Sequence, residues 1–244
     1  MKIGFIGGHS NKKVGARGTG HSEEVICRDL ANRCLEYAKA NYNATFLTDS
    51  VNDHSGGGEE TFVINNKLDY YISLHLNSAS ASATGTECIV SCREKTVGIE
   101  TKIVNEICNQ LGLRNRGIKR RQTGGDWISG YKNVDDYYGI LRQPKAKGIS
   151  GAILEVCFIS NADDMNKLKA NMDKVARIIV DAICNGFGVD KKAGANPNPP
   201  QSSSSSTSGK IYRTVIFSGS YEGAKKKEAE AKEKGFTDAF TVEK

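Results

Sequence analysis

Continuous apolar runs alternate with amphipathic segments along residues 1–192. Runs bounded by turn residues predict buried strands, and apolar residues three or four apart predict helices. The predicted strands are 2–6, 44–47, 68–76, 86–91 and 152–158. The predicted helices are 23–40, with Ser22 as N-cap and Glu23 and Glu24 in the first turn, then 97–111 and 163–185, with a short helix after glycines 56–58.

Strands separated by helices indicate an α/β fold, with a twisted, mostly parallel or mixed sheet and helices on both faces. Residues 193–209 carry prolines and a serine run but no charge, which is typical of a flexible linker. The predicted domains are therefore 1–192 and a small C-terminal β-α-β unit, 210–244. In such sheets a ligand usually lies beyond the carboxyl ends of the strands.

The composition argues against a membrane-spanning, a disulfide-rich or a nucleic-acid-binding protein. A hydrophobic content of 38% and a charged content of 25% fit a globular protein, and no apolar run is long enough for a membrane span. The seven irregularly spaced cysteines favour reduced, packed thiols. The basic run 119–121 is too short to favour a nucleic-acid partner. The first residues do not resemble a signal peptide, so we expect synthesis in the cytoplasm without one.

The stretch Gly148–Asn161 holds one carboxylate, Glu155, inside an apolar strand. A buried carboxylate without a partner is costly, so its pKa should rise, which suits a general base near neutral pH. Taken alone, the pattern fits an outward-facing strand residue equally well.

Three other titratable residues are predicted to lie at the same edge of the sheet. His9 follows the first strand, His75 lies near the end of another, and Glu23 opens the first helix. Two histidines, a glutamate and an open position form a catalytic zinc site in many hydrolases. Their sequence separations are long, however, and isolated histidines are more often structural or exposed.

Several short motifs resemble, in the right order, the Amidase_3 family of zinc-dependent N-acetylmuramoyl-L-alanine amidases. They are Gly-His-Ser at 8–10, Gly-x-x-Glu at 20–23, Ser-Leu-His-Leu-Asn at 73–77, Gly-Thr-Glu at 85–87, Asn-Arg-Gly-Ile-Lys at 115–119, Gly-Ile-Leu-Arg at 139–142 and Ile-Leu-Glu-Val-Cys-Phe-Ile-Ser-Asn at 153–161. The resemblance implies that His9, Glu23 and His75 bind Zn2+ and that Glu155 is the catalytic acid/base. His21 is a less favoured ligand.

The chain departs from the family pattern in three places. The opening lacks the Asp-Pro-Gly-His form, Leu-Thr-Asp at 47–49 stands where Thr-Arg is common, and residues 122–138 suggest an expanded loop or lid. None of these changes removes a predicted metal ligand, but the loop leaves the substrate contacts open.

Residues 210–244 resemble half of a SPOR module, a small peptidoglycan-binding fold. One strand-helix-strand unit is too small to bury a core alone, so our hypothesis is that two copies pair in a homodimer. The unit is thus predicted to bind the cell wall or to dimerise.

The resemblance implies hydrolysis of the amide between N-acetylmuramic acid and L-alanine in bacterial peptidoglycan. The protein would act as an endolysin or an autolysin, reaching the wall through a holin-type pore or after mother-cell lysis. The alternatives are a zinc peptidase that cuts the peptide stem and a catalytically dead wall-binding protein.

Overall fold

The computed structural model describes residues 1–10, 13–49, 58–123, 125–126 and 135–195. The predicted module 210–244, Trp127 and most of the predicted linker lie outside the described residues, as do glycines 56 and 57 of the predicted loop. The domain boundaries at 192 and 210 therefore stay predictions.

Strands and helices alternate along the described chain. The strands are β1 (Lys2–Gly7), β2 (Arg17–Gly18), β3 (His21–Ser22), β4 (Thr45–Thr48), β5 (Tyr70–Asn77), β6 (Thr86–Val90), β7 (Asn115–Lys119), β8 (Arg121–Gln122), β9 (Gly125–Asp126) and β10 (Ser150–Phe158). The helices are α1 (Glu23–Asn41), α2 (Glu59–Asn65), α3 (Gly98–Leu111), α4 (Gly139–Ala146), α5 (Ala162–Ala170) and α6 (Met172–Gly186).

Six strands form the central sheet in the order β4-β1-β5-β10-β6-β7. β10 pairs antiparallel with β6, and the other neighbours in the sheet are parallel. The prediction of a mostly parallel or mixed α/β sheet is confirmed.

Helices cover both faces of this sheet because neighbouring strand residues point to opposite sides. Phe5 lies in the larger core cluster, together with Leu30 of α1 and Val175 of α6. The next residue, Ile6, lies in a second cluster with Val63 of α2. Among the described helices, none is long and apolar enough to span a membrane.

The prediction of one helix over 163–185 is wrong, because α5 ends at Ala170 and α6 begins at Met172. Asn171 has left the helical conformation, with φ −131°, and its side-chain Nδ2 donates a hydrogen bond to the Lys167 carbonyl at 2.9 Å. A local side-chain bond of this kind competes with the helical backbone bonds. The apolar spacing continues across the break, so periodicity alone does not reveal it.

Ser22 is the N-cap residue of α1, as predicted. Its side chain makes no capping hydrogen bond. The amides of Glu23 and Glu24 donate instead to the carbonyls of Ala16 and Val14, at 3.0 and 3.3 Å. The segment before the helix therefore supplies the acceptors that a capping hydroxyl normally provides.

Six of the described elements were absent from the sequence-based prediction: β7, α4 and the two-residue strands β2, β3, β8 and β9. β7 contains a single aliphatic residue, Ile118, and α4 is short and contains Pro144. Part of the predicted loop at 122–138 is ordered by backbone hydrogen bonds. The amide of Thr123 donates to the Asp135 carbonyl, and that of Tyr137 donates to the Arg121 carbonyl, both at 2.9 Å.

Candidate metal centre and catalytic carboxylate

The register of the sheet brings the predicted site residues to one edge. Gly7, the last residue of β1, is paired with Leu74 of β5, and His9 follows two residues later. His75 is paired with Glu155 of the parallel strand β10. Paired residues on neighbouring strands point to the same face, so Glu155 and His75 share one side of the sheet.

Glu23, His9 and His75 form a compact cluster in which one carboxylate oxygen accepts hydrogen bonds from both rings. Glu23 Oε1 lies 3.0 Å from His9 Nε2 and 3.1 Å from His75 Nδ1. A candidate ligand atom from each residue lies within 4.8 Å of the others. His21 is outside this cluster and lies 3.4 Å from the Lys169 ammonium.

Backbone amides fix the carboxylate of Glu23, which is 3% exposed. Leu76 donates to Oε1 at 3.0 Å, and Ala16 donates to Oε2 at 2.7 Å. Burial alone would raise the pKa of Glu23, but the hydrogen bonds with His75 and His9 outweigh it and hold this pKa below its usual range.

The pKa of His75 moves in the opposite direction. Burial alone would lower it, but the hydrogen bond with Glu23 and the negative charges of Glu59 and Glu155 raise it to about 9. The carboxylates around His75 therefore favour positive charge at this position.

Two glycines leave room for these side chains. A Cβ atom on Gly8 would lie 2.5 Å from His75 Nε2, and one on Gly15 would lie 2.5 Å from Glu23 Oε2. His9 itself has a φ of 69°, which is unusual for a residue other than glycine. Its amide donates to Glu59 Oε1 and its carbonyl accepts from Arg28, both at 3.2 Å.

The donor set fits a zinc ion. Two imidazoles and one carboxylate are the ligands of many catalytic zinc sites, which keep a further position for water or substrate. The buried carboxylate, the glycines and the strained backbone of His9 all hold the donor atoms together.

Glu155 lies beside this cluster in a different electrostatic environment. Its Oε2 atom is buried and accepts no hydrogen bond from the described residues. Burial raises the pKa of Glu155 to about 7, the charge of His75 opposes the shift, and those of Glu23 and Glu87 add to it. The upward shift predicted from the sequence is confirmed.

Glu87, the neighbour of Glu155 on β6, has its charge balanced. It accepts from Arg116 Nε at 2.7 Å and from Asn77 Nδ2 at 3.1 Å. Two adjacent carboxylates in such different environments can take different roles. Glu155, whose Oε2 has no hydrogen-bond partner among the described residues, is better suited to exchange protons.

Neither Glu59 nor Ser73 was predicted from the sequence to have a role at the site. Glu59 begins α2, and its carboxylate contacts both Ser73 and the amide of His9. The only signal in the sequence is an acidic pair after a glycine run, which is equally typical of an ordinary helix start.

Comparison with known proteins places the chain in a family. The profile described as Amidase_3, N-acetylmuramoyl-L-alanine amidase, matches residues 3–185. YqiI of Bacillus subtilis (strain 168), an uncharacterized protein, is 26% identical over 185 residues, which cover 74% of this chain and 80% of YqiI. "Probable autolysin PH" of Staphylococcus aureus (strain NCTC 8325 / PS 47) is 25% identical over 198 residues. The match covers 75% of this chain but only 38% of the autolysin's length.

A solved structure has the same fold. The catalytic domain of CwlV, an N-acetylmuramoyl-L-alanine amidase from Bacillus (Paenibacillus) polymyxa var. colistinus, superposes with a TM-score of 0.62 at 22% identity. The match covers 78% of this chain and 99% of that domain. Since the family profile spans most of the chain, from β1 to the end of α6, the protein belongs to the Amidase_3 family of N-acetylmuramoyl-L-alanine amidases.

Proposed function

We propose that the protein is a zinc-dependent hydrolase that cleaves the amide between N-acetylmuramic acid and L-alanine in bacterial peptidoglycan. The observation that carries this proposal is the position of Glu155. Glu155 has a raised pKa, and its Oε2 accepts no hydrogen bond from the described residues. It lies opposite His75 in the sheet, and the His75 ring converges with His9 on Glu23.

The proposed roles follow from the contacts. His9, Glu23 and His75 hold the zinc, which when bound supplies an activated water molecule and polarises the scissile carbonyl. Glu155 accepts the proton that the attacking water loses as the new C–O bond forms. It returns this proton to the nitrogen of L-alanine, so that the C–N bond breaks and the amine leaves uncharged.

The proposal is tested by measuring hydrolysis of purified peptidoglycan before and after the metal is removed and replaced. The chain should solubilise the wall, lose this activity in EDTA and recover it on addition of Zn2+. Each cut should free the amino group of L-alanine. New amino ends from another residue of the stem would favour a zinc peptidase, and wall binding without cleavage would favour a wall-binding protein.

We also propose that the physiological role is wall lysis, as an endolysin or an autolysin. In this proposal residues 210–244 add wall binding or dimerisation. Sedimentation of the isolated 210–244 segment tests the dimer, because a folded monomer would contradict it.

A further inference from the structure

Glu59 contacts both histidines of the candidate metal centre without belonging to the predicted ligand set. Its Oε1 accepts the amide hydrogen of His9 at 3.2 Å and lies 3.9 Å from His75 Nε2. Its Oε2 accepts a hydrogen bond from the Ser73 hydroxyl. Glu59 comes from α2, whereas the two histidines follow or belong to strands, so the contact depends on the tertiary fold.

Ser73 links Glu59 to the ring of His75. The Ser73 side chain is on the same strand as His75, two residues earlier, and its Oγ lies 3.1 Å from His75 Nε2. Ser73 is fully buried, and the side chain of Glu59 is 13% exposed, so water competes little for these bonds.

The proton positions along the row Glu59, Ser73 and His75 follow from the number of hydrogen bonds that each group can donate and accept. The Ser73 hydroxyl donates to Glu59 Oε2, and this bond uses its single proton. Ser73 Oγ can then only accept from His75, and His75 Nε2 must carry a proton. The other ring nitrogen, Nδ1, is the one directed at Glu23 Oε1, 3.1 Å away.

We propose that Glu59 is a positioning residue for the metal centre. Through Ser73 it selects the tautomer in which His75 offers Nδ1 to the metal, and through the amide of His9 it stabilises the strained backbone of the second ligand. The inference rests on the zinc centre proposed above. Partners of this kind commonly change metal affinity 10- to 100-fold.

The Glu59→Gln variant tests the proposal with little change in size. An amide has only one acceptor oxygen, so it cannot accept from both the His9 amide and the Ser73 hydroxyl. We expect zinc affinity, measured in the full chain by competition with a chromophoric chelator, to fall about 10- to 100-fold. Ser73→Ala removes the link from Glu59 to His75 but leaves the bond from the His9 amide to Glu59, so it should cost less.

Glu60→Gln is the matched control, because it makes the same change one residue later in α2. Glu60 contacts Gln143 at 3.3 Å rather than either histidine. The zinc affinity of the Glu60→Gln protein should equal that of the wild type. Circular dichroism and thermal melting of each variant separate loss of zinc binding from loss of folding.

A double-mutant cycle and an NMR spectrum test whether Glu59 acts on His75 through Ser73. If Glu59 acts on His75 through Ser73, the losses in Glu59→Gln and Ser73→Ala should not add in the double variant. Long-range 1H–15N spectra of the zinc-loaded wild type should report a protonated Nε2 on His75. A protonated Nδ1, or unchanged zinc affinity in a folded Glu59→Gln protein, would overturn the inference. A wild type that binds no zinc would instead overturn the metal centre itself, and this inference with it.

Discussion

Glu155 and His75 occupy paired positions on the adjacent parallel strands β10 and β5, and their side chains share one face of the sheet. A carboxylate that lacks a hydrogen-bond partner among the described residues thereby lies beside a proposed metal ligand. The geometry places the proposed proton acceptor next to the proposed metal site through a single pair of strands.

Replacing Glu155 by Gln should separate metal binding from catalysis. The amide keeps the size of the side chain but cannot accept a proton at this position, so wall hydrolysis should fall by about 10²- to 10⁴-fold. Zinc content, measured by atomic absorption, should stay at the wild-type level, whereas His75→Ala should lose zinc as well. An active Glu155→Gln protein would refute the proposed role.

The stability of the EDTA-treated protein should depend on the charge of Glu155. Its pKa in the folded state is raised from 4.5 to about 7, chiefly by burial, so the folded state binds this proton more tightly than the unfolded chain. This group therefore makes the protein less stable as the pH rises from 4.5 to 7. Glu155→Gln removes that dependence.

The free energy of unfolding measured in urea at several pH values checks this sign. Glu155→Gln should match the wild type below pH ~4.5 and exceed it by up to about 3 kcal/mol above pH ~7. Glu106→Gln is a suitable control, because its side chain is 42% exposed. If the free-energy difference between Glu155→Gln and the wild type shrank with rising pH, the buried carboxylate of Glu155 would not be destabilising when ionised.

Gly15→Ala should weaken metal binding, whereas Gly20→Ala should not. Both glycines have positive φ, 70° and 79°, so each substitution adds about 1 kcal/mol of backbone strain. A Cβ atom on Gly15 would also lie 2.6 Å from His9 Nε2 and displace the ligands, whereas one on Gly20 has no atom within 4 Å. Zinc titration of both variants, alongside thermal melting, distinguishes ligand displacement from strain. Equal zinc affinities would show that Gly15 does not shape the site.

Asp164→Asn should destabilise the fold without changing the zinc ligands. Asp164 is fully buried and accepts hydrogen bonds from Thr84 Oγ1 at 2.6 Å and from the amides of Gly85 and Phe158 at 3.1 and 3.0 Å. An amide oxygen can still accept from the two backbone amides while its N–H donates to Thr84 Oγ1, but a neutral acceptor replaces a charged one, which should cost about 1–3 kcal/mol of unfolding free energy. Asp163→Asn changes a side chain that is 71% exposed and should cost less than about 1 kcal/mol. Urea denaturation of both variants measures the difference, and equal midpoints would contradict the role of the Asp164 network.

Local features of the sequence determined the main strands and the extents of α1 and α3. Gly112 ends α3 with a φ of 61°, a conformation that glycine adopts at little cost. The apolar surroundings of Glu155 also indicated its raised pKa, because desolvation depends mainly on the adjacent residues of its own strand and their burial.

Tertiary structure decided the contacts between distant residues. Glu59 meets Ser73 and His9 because α2 packs beside the edge of the sheet where β1 and β5 end, and Glu87 meets Arg116 because β6 pairs with β7. The cap of α1 and the break at Asn171 were likewise decided by particular hydrogen bonds rather than by periodicity. The sequence indicated the residues for which we propose metal-binding and catalytic roles, since side-chain type and short motifs are local properties. How those residues are held and protonated depends on strand register and helix placement, which no local pattern specifies.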